Sequence, residues 1–515
     1  MSHGSREFNI LAPRSKLYQG PFGRLFSELP AWSPVGVKDH EIEKHFLDIA
    51  NNEMVEAPGQ SPSNIARDQN LRDELESAFG SNIPAGYTYF GQFVDHDITF
   101  DPASSLMRAN DPSGLLNHRT PRLDLDSIYG SGPTASPHLY DKDDKNYKGD
   151  KDKLLTDTIP GTNLKDLPRN RQYIALIGDM RNDENAMVSQ LQLAFILALN
   201  ELVDRARKRA REQKLENITD TFEEARTTLR WLYQHIVWND FINRVTINEV
   251  RAAALVRETT PAGHTKWELG LDDIYDWRNQ PFMPVEFSVA AYRFGHSMVR
   301  NAYQTNQPHR GFGNFAPIFD NTGTDGPHDL RGFRPMKPEN SIQWDWFLEM
   351  TTSSGSFPQR ARKIDTKLSN ALTLLPDTSV ETHMNILAFR NLMRGCRFGL
   401  PSGTDVAKKL CVEPIDIEQD HDSLWFYILK EAAKQPGDNG GQMLGQVGSI
   451  IVCATFAGLL KGDPNSYFNI EPHWVPDDDP LLTANDNQDP GDWTLASIIR
   501  LSKLPASAEE FSSGV

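Results

Sequence analysis

A mostly α-helical fold, organised as one large domain, is what three features of this 515-residue sequence predict. Long stretches carry apolar residues at helical spacing, few runs alternate with the period of two expected of a strand, and no internal repeat divides the chain. Hydrophobic residues make up 38% and aromatic residues 10%. That supplies a sizeable core, so the length-based prior of roughly three domains gives way to a single one.

The elements follow in order. Residues 1–60, with Pro and Gly throughout, read as an N-terminal arm packed on the core. Residues 61–475 form the main domain, and residues 476–515 a polar C-terminal tail with one short helix. Within the main domain, residues 88–99 and "ENAMVSQLQLAFILALNELVDRARKRAREQ" are helices, the second with Asn182 or Asp183 as its N-cap. The charged stretch 140–166 is a surface loop. "FEEARTTLRWLYQHIVWNDFINRVT" is the next helix, and "PVEFSVAAYRFGHSMVRNAY", with Pro at its start, another. Residues 304–341, rich in Gly, Pro and Asn, are irregular. Helices over "SVETHMNILAFRNLMRGC", "DSLWFYILKEAAKQ" and "QMLGQVGSIIVCATFAGLLKG" close the core.

The net charge of −17 argues against nucleic acid or an anionic membrane surface as a partner. Cys396, Cys411 and Cys453 are too few and too scattered for a disulfide framework, which points to a reducing compartment. The first twenty residues lack a basic region followed by an apolar one, so the expectation is no signal peptide, with a cytoplasmic location or leaderless secretion. The longest apolar stretches are too short or too polar to span a bilayer.

Four constellations carry chemistry. In "YFGQFVDHDITFDP", a helix would set Gln92, Asp95 and His96 on one face and turn Asp97 about 100° away, so the segment can serve two sites. The same spacing suits a buried His held by a neighbouring acid, or the His-Asp pair of a metal phosphohydrolase, although no convincing further ligands accompany it. In "IGDMRNDENAM", Arg181 and Glu184 stand three apart at a helix start, where an acid also simply complements the helix dipole. His296 lies in an apolar helix beside Gly295, whose flat approach admits either a cofactor plane or a neighbouring helix. In "HRTPRLDLDSIYGS", Thr120, Asp124, Asp126 and the Arg122 carbonyl offer alternating oxygens that suit Ca²⁺ or a solvated turn.

Taken together, "GQFVDHDITFDP", "DLDSIYGS", "GDMRNDEN", "RFGHSM" and "NLMRGCRFGLP" resemble, in order and separation, the motifs of the animal-type haem peroxidases over roughly residues 80–470. The resemblance implies a helical domain around a buried haem b, with residues 61–475 as the catalytic domain. It implies that His96 is the distal His, with Arg181 and Gln92 beside it, and that His296 ligates the haem iron. Asp95 and Glu184 match carboxylates that ester-link to haem methyls. Asn391 matches the acceptor of the proximal His N–H, and Arg293 and Arg394 match arginines near the propionates. Asp97, Thr120, the Arg122 carbonyl, Asp124 and Asp126 match a Ca²⁺ site.

The implied activity is hydrogen peroxide-dependent oxidation of small organic donors or (pseudo)halides through an oxoferryl intermediate. Asn185 replaces the Met of a third covalent link, and "GCRFGLP" departs from the family's "GRDHGLP"; both suggest a distant bacterial branch. The alternative is a haem-dependent oxygenase or dioxygenase acting on a fatty acid or natural product. Cyclooxygenases carry a Tyr three residues before the proximal His; here that position is Arg293, and Tyr292 is expected to face elsewhere. A non-enzymatic haem- or Ca²⁺-binding protein is a further class, though simple binding needs neither His96 nor Arg181.

Overall fold

The computed structural model describes residues 21–101, 110, 112, 115–144, 147–148, 150–213, 221–259, 265–277, 281–320, 328–350, 358–376, 382–487 and 492–513. About 49% of it is helical and 9% strand, so the mostly α expectation holds. Among the described residues every sheet is a two-stranded pair. The longest is the hairpin Leu255–Thr259 with Thr265–Leu269.

Three helices build the centre. Gly86–Ile98, Ala186–Glu212 and Thr221–Ile236 meet through Phe90, Phe93, Phe195 and Tyr233. The rings of Phe93 and Phe195 stack 4.7 Å apart, and Tyr233 stands edge-on to Phe195 at 5.7 Å. Each such pair contributes about 0.5–1.5 kcal/mol beyond its buried area, so the cluster holds the three helices in register. The long helix Ala186–Glu212 is apolar enough by composition to cross a membrane, but 83% of its apolar window is buried inside the protein. Its N-cap is Asn185, whose side chain accepts from the Val188 amide. The expected caps, Asn182 and Asp183, instead fall in the preceding 3-10 turn Met180–Asp183.

The segment expected as one helix around His296 is a hybrid. Glu286–Ala290 is π-helical and Ala291–His296 is 3-10, with the chain leaving helical geometry at Ala290 (φ −126°, ψ −75°). It packs against Leu387–Arg397, Leu424–Ala433 and Gln446–Gly462. The Trp425 indole donates to the Arg293 carbonyl at 3.2 Å.

Described residues from the first and last parts of the chain join this body. Buried Glu286 accepts from the Leu25 and Phe26 amides, and Phe22–Gly23 pairs in parallel with Met283–Pro284. The helix Leu495–Ser502 packs on Ala186–Glu212, and the Leu495 amide is anchored to buried Asp240.

Candidate active site

The Gly86–Ile98 helix divides as its spacing predicts. Phe90 and Phe93 face the aromatic core, Gln92, Asp95 and His96 line a cavity of about 740 Å³, and Asp97 is fully buried on another side. The cavity also takes in Glu184, Tyr292, Arg293 and His296, bringing together residues more than two hundred positions apart. Its volume is in the range of small-molecule and cofactor sites.

His96 is buried, and burial with the adjacent Arg181 charge pushes its pKa down to about 4. It is therefore neutral at physiological pH. Its Nδ1 lies 2.7 Å from the Asn182 Oδ1. Asn182 in turn donates to Gln192, and Gln192 to the Ser127 carbonyl. Asn182 entered the sequence reading only as a helix cap; Gln192 went unmarked, its one signal being an amide inside the apolar run "LQLAFILAL".

Arg181 lies next to His96 but does not line the cavity. Its guanidinium bonds to both carboxylate oxygens of Asp179 and to the His96 carbonyl at 2.9 Å, over the Phe100 ring. Burial opposes ionisation of Asp179, but Arg181 and Arg119 outweigh it and hold that carboxyl at about 2. Arg181 thus stands beside His96, as expected, with its guanidinium paired to a buried anion two residues away.

Glu184 sits in the cavity wall, bonded to the Gln92 amide nitrogen, while the Gln92 oxygen accepts from Asn185. Burial raises Glu184 to about 7. The residues Arg181–Asn185 are braced from outside by a segment that sequence reasoning left irregular. The Gly332 and Phe333 amides donate to the Glu184 and Asp183 carbonyls, and Ala186 donates to Leu330. A Cβ at Gly332 would stand 1.6 Å from the Asp183 oxygen, so only glycine permits this approach. Asp95 is half-buried and accepts from the Thr99 hydroxyl at 3.0 Å.

His296 is held neutral as well, pushed to about 3 by burial and by the Arg293 and Arg390 charges. Asn391 lies 2.8 Å from its Nδ1, as expected, but with reversed polarity. The Asn391 oxygen accepts from Arg293 at 3.1 Å, so its amide nitrogen faces the ring. An Arg can only donate, and that decides which way the amide turns. Arg390 lines the cavity too, although the sequence reading did not single it out. Arg394 lies outside the cavity lining, 4.0 Å from Asp101. A Cβ built on Gly295 would meet nothing within 4 Å, leaving open space beside His296.

Tyr292 also departs from expectation, because it lines the cavity. Its hydroxyl donates to the Gly91 carbonyl at 3.1 Å. The α-helical geometry that would have turned it away is absent from this π/3-10 segment.

The acidic loop lies behind the Gly86–Ile98 helix. Asp97, Asp124 and Asp126 bring one oxygen each within 4.8 Å of one another. Burial, then mutual repulsion, raises Asp97 and lifts Asp124 to about 6. Leu125, at φ 58°, donates its amide to Asp97, and the Ser127 hydroxyl does the same. Thr120 spends its hydroxyl on Asp124 at 2.8 Å, and the half-buried Arg122 donates its amide to the Thr120 carbonyl. Arg119 ties this loop to the site, bonding Asp126 at 2.8 Å and Asp179 at 2.6 Å.

A family model described as animal haem peroxidase matches residues 105–423. A peroxidase-like protein of Margaritifera margaritifera is 25% identical over 281 residues, spanning 51% of this chain but only 32% of its own length. Among solved structures, peroxidase A of Dictyostelium discoideum aligns with TM-score 0.51 at 14% identity, over 88% of this chain and 96% of that one. A fatty acid alpha-dioxygenase of Oryza sativa aligns with TM-score 0.50 at 14% identity, over 97% and 85%. These two structures bear on the fold alone. The family match covers more than half of the sequence and contains Arg181, Glu184, His296 and Asn391, so the chain belongs to the animal haem peroxidase family.

Proposed function

We propose that the protein is a haem peroxidase that uses hydrogen peroxide to oxidise small organic donors or (pseudo)halides. The observation that carries this reading is a buried neutral His96 and a half-buried neutral His296 in the walls of one 740 Å³ cavity. The residues fit a haem. His296 is a neutral imidazole beside the open side of Gly295, and Arg293 and Arg390 line the cavity as partners for propionates. Asp95 and Glu184 are the carboxylates available for ester links. Haem, when bound, supplies a redox-active iron that cleaves the peroxide bond and takes electrons from the donor.

The protein's own part is proton handling. His96 takes a proton from hydrogen peroxide and returns it to the departing oxygen, which leaves as water. Arg181, beside it, disfavours protonation of the ring and so keeps the base available. Gln92 holds Glu184 in the wall. Asp97, Asp124 and Asp126, with Thr120 and the Arg122 carbonyl, are the proposed Ca²⁺ ligands. Their repulsion calls for a cation, and its binding would brace the segment that carries His96.

The test is an absorption spectrum of the haem-loaded chain before and after peroxide, with peroxide-dependent oxidation of iodide or a dye. His96→Ala is expected to slow turnover by about 10²–10⁴-fold, the usual contribution of a general base. Unchanged turnover in that variant would refute the mechanism.

The second reading, a haem-dependent oxygenase acting on a fatty acid or natural product, is favoured by Tyr292, an oxidisable phenol in the cavity wall. It predicts oxygen uptake with fatty acid and no added peroxide, lost in Tyr292→Phe. Under the peroxidase reading, Tyr292→Phe leaves iodide oxidation intact.

A further inference from the structure

We propose that Asn182 and Gln192 are positioning residues that lock His96 in the tautomer with Nδ1 protonated and Nε2 bare. They do so through a one-way chain of hydrogen bonds that starts at a backbone carbonyl. The consequence for catalysis rests on the peroxidase reading; the tautomer itself does not.

The polarity of the chain is decided link by link. The Ser127 carbonyl can only accept, so the Gln192 amide nitrogen faces it, at 3.1 Å. That turns the Gln192 oxygen toward Asn182, whose amide nitrogen donates to it at 2.8 Å. Asn182 therefore presents its oxygen to His96, 2.7 Å from Nδ1. An oxygen acceptor at that distance requires a proton on Nδ1, which leaves Nε2 with its lone pair. Reversing any one amide sets two acceptors against each other at the next link.

Solvent cannot relax this constraint, because Asn182, Gln192 and Ser127 are each 0% exposed. The origin is itself anchored. Ser127 donates its hydroxyl to Asp97, the residue that follows His96 in the chain. The hydrogen bonds thus form a closed circuit from His96 through Asn182, Gln192 and Ser127 back to the same helix. Asn182 sits in the 3-10 turn and Gln192 in the helix that follows it, so the circuit also sets the spacing of the two elements.

The tautomer is read directly by two-bond ¹H–¹⁵N correlation spectra of the full-length haem-free chain labelled with ¹⁵N-histidine. The His96 signals are identified by their loss in His96→Gln. The wild type is expected to show Nδ1 protonated and Nε2 bare. Asn182→Leu removes the acceptor and is expected to admit the opposite tautomer. Asn182→Asp keeps an acceptor at the ring, with its second oxygen set against the Gln192 oxygen, and is expected to keep Nδ1 protonated. In the haem-loaded chain, Asn182→Leu is expected to slow the reaction with peroxide by about 10–100-fold, the usual cost of losing such a supporting partner. A wild-type His96 protonated on Nε2 overturns the proposal, and needs no variant to fold. So does an Asn182→Leu protein in which Nδ1 stays protonated. A chain with the expected tautomers and no reaction with peroxide refutes the peroxidase reading and leaves the positioning role standing.

Discussion

The amide nitrogen of Asn391 lies 2.8 Å from Nδ1 of His296, while its carbonyl oxygen accepts from Arg293. A neutral His bound to a metal through Nε2 carries its proton on Nδ1 and needs an acceptor there. Binding of haem by His296 therefore requires the Asn391 amide to turn and Arg293 to find another acceptor. Asn391→Leu is expected to speed haem loss to a competing haem acceptor by about 10–100-fold. Asn391→Asp, whose oxygens accept from His296 and Arg293 together, is expected to retain haem at least as well as wild type.

Gly295 gives a separate probe of the same face. Its added Cβ would touch nothing within 4 Å, so nothing in the polypeptide requires glycine at this point. Gly295→Val is expected to leave the melting temperature of the haem-free chain within a degree or two, as for a substitution without a clash. It is expected to weaken haem uptake measured by Soret titration, because its methyl groups enter the cavity beside His296. A large loss of stability in the haem-free variant would show that the glycine serves the fold.

Glu184 makes stability pH-dependent in a defined direction. Burial raises its folded pKa to about 7, above the unfolded value of 4.5. The unfolded state therefore releases this proton first, and stability falls as pH rises from 4.5 to 7 before levelling off. Glu184→Gln removes this half-buried charge. It is expected to raise stability by roughly 2–3 kcal/mol at pH 8 and by less than about 1 kcal/mol at pH 5. Denaturant titrations at the two pH values check this; an equal effect at both excludes the carboxylate charge as the cause.

Asp97, Asp124 and Asp126 predict a response to Ca²⁺. Binding to the folded state alone adds about 2.7 kcal/mol when Ca²⁺ is at 100 times its Kd. Melting curves with Ca²⁺ and with a chelator are expected to differ by about 2–3 °C in the wild type and to coincide in Asp97→Asn. In chelator, Asp97→Asn is expected to melt no lower than wild type, because it loses a charge that its neighbours repel. Identical wild-type curves would exclude this loop as a Ca²⁺ site.

Much of the site is legible along the sequence because helical periodicity is local. Once residues 88–99 read as a helix, the common face of Gln92, Asp95 and His96 and the separate direction of Asp97 follow from 3.6 residues per turn. Tyr292 shows the limit of that logic. Its direction depends on a π turn followed by a 3-10 turn, and the apolar spacing of the segment does not distinguish these from an α-helix. Arg181 shows another, since its partner Asp179 is held in turn by Arg119 from the acidic loop.

The amino-acid sequence by itself determined the fold class, the motifs that mark the family, and the sharing of one helix between a cavity and an acidic loop. These properties depend on residue type and short-range spacing. Only the tertiary structure decided the orientations: Asn391 reversed by Arg293, Arg181 drawn to Asp179, and His96 governed by a carbonyl thirty-one residues away at Ser127. Hydrogen bonds have polarity, and the polarity of a buried amide is set by whichever donor or acceptor the fold places against it.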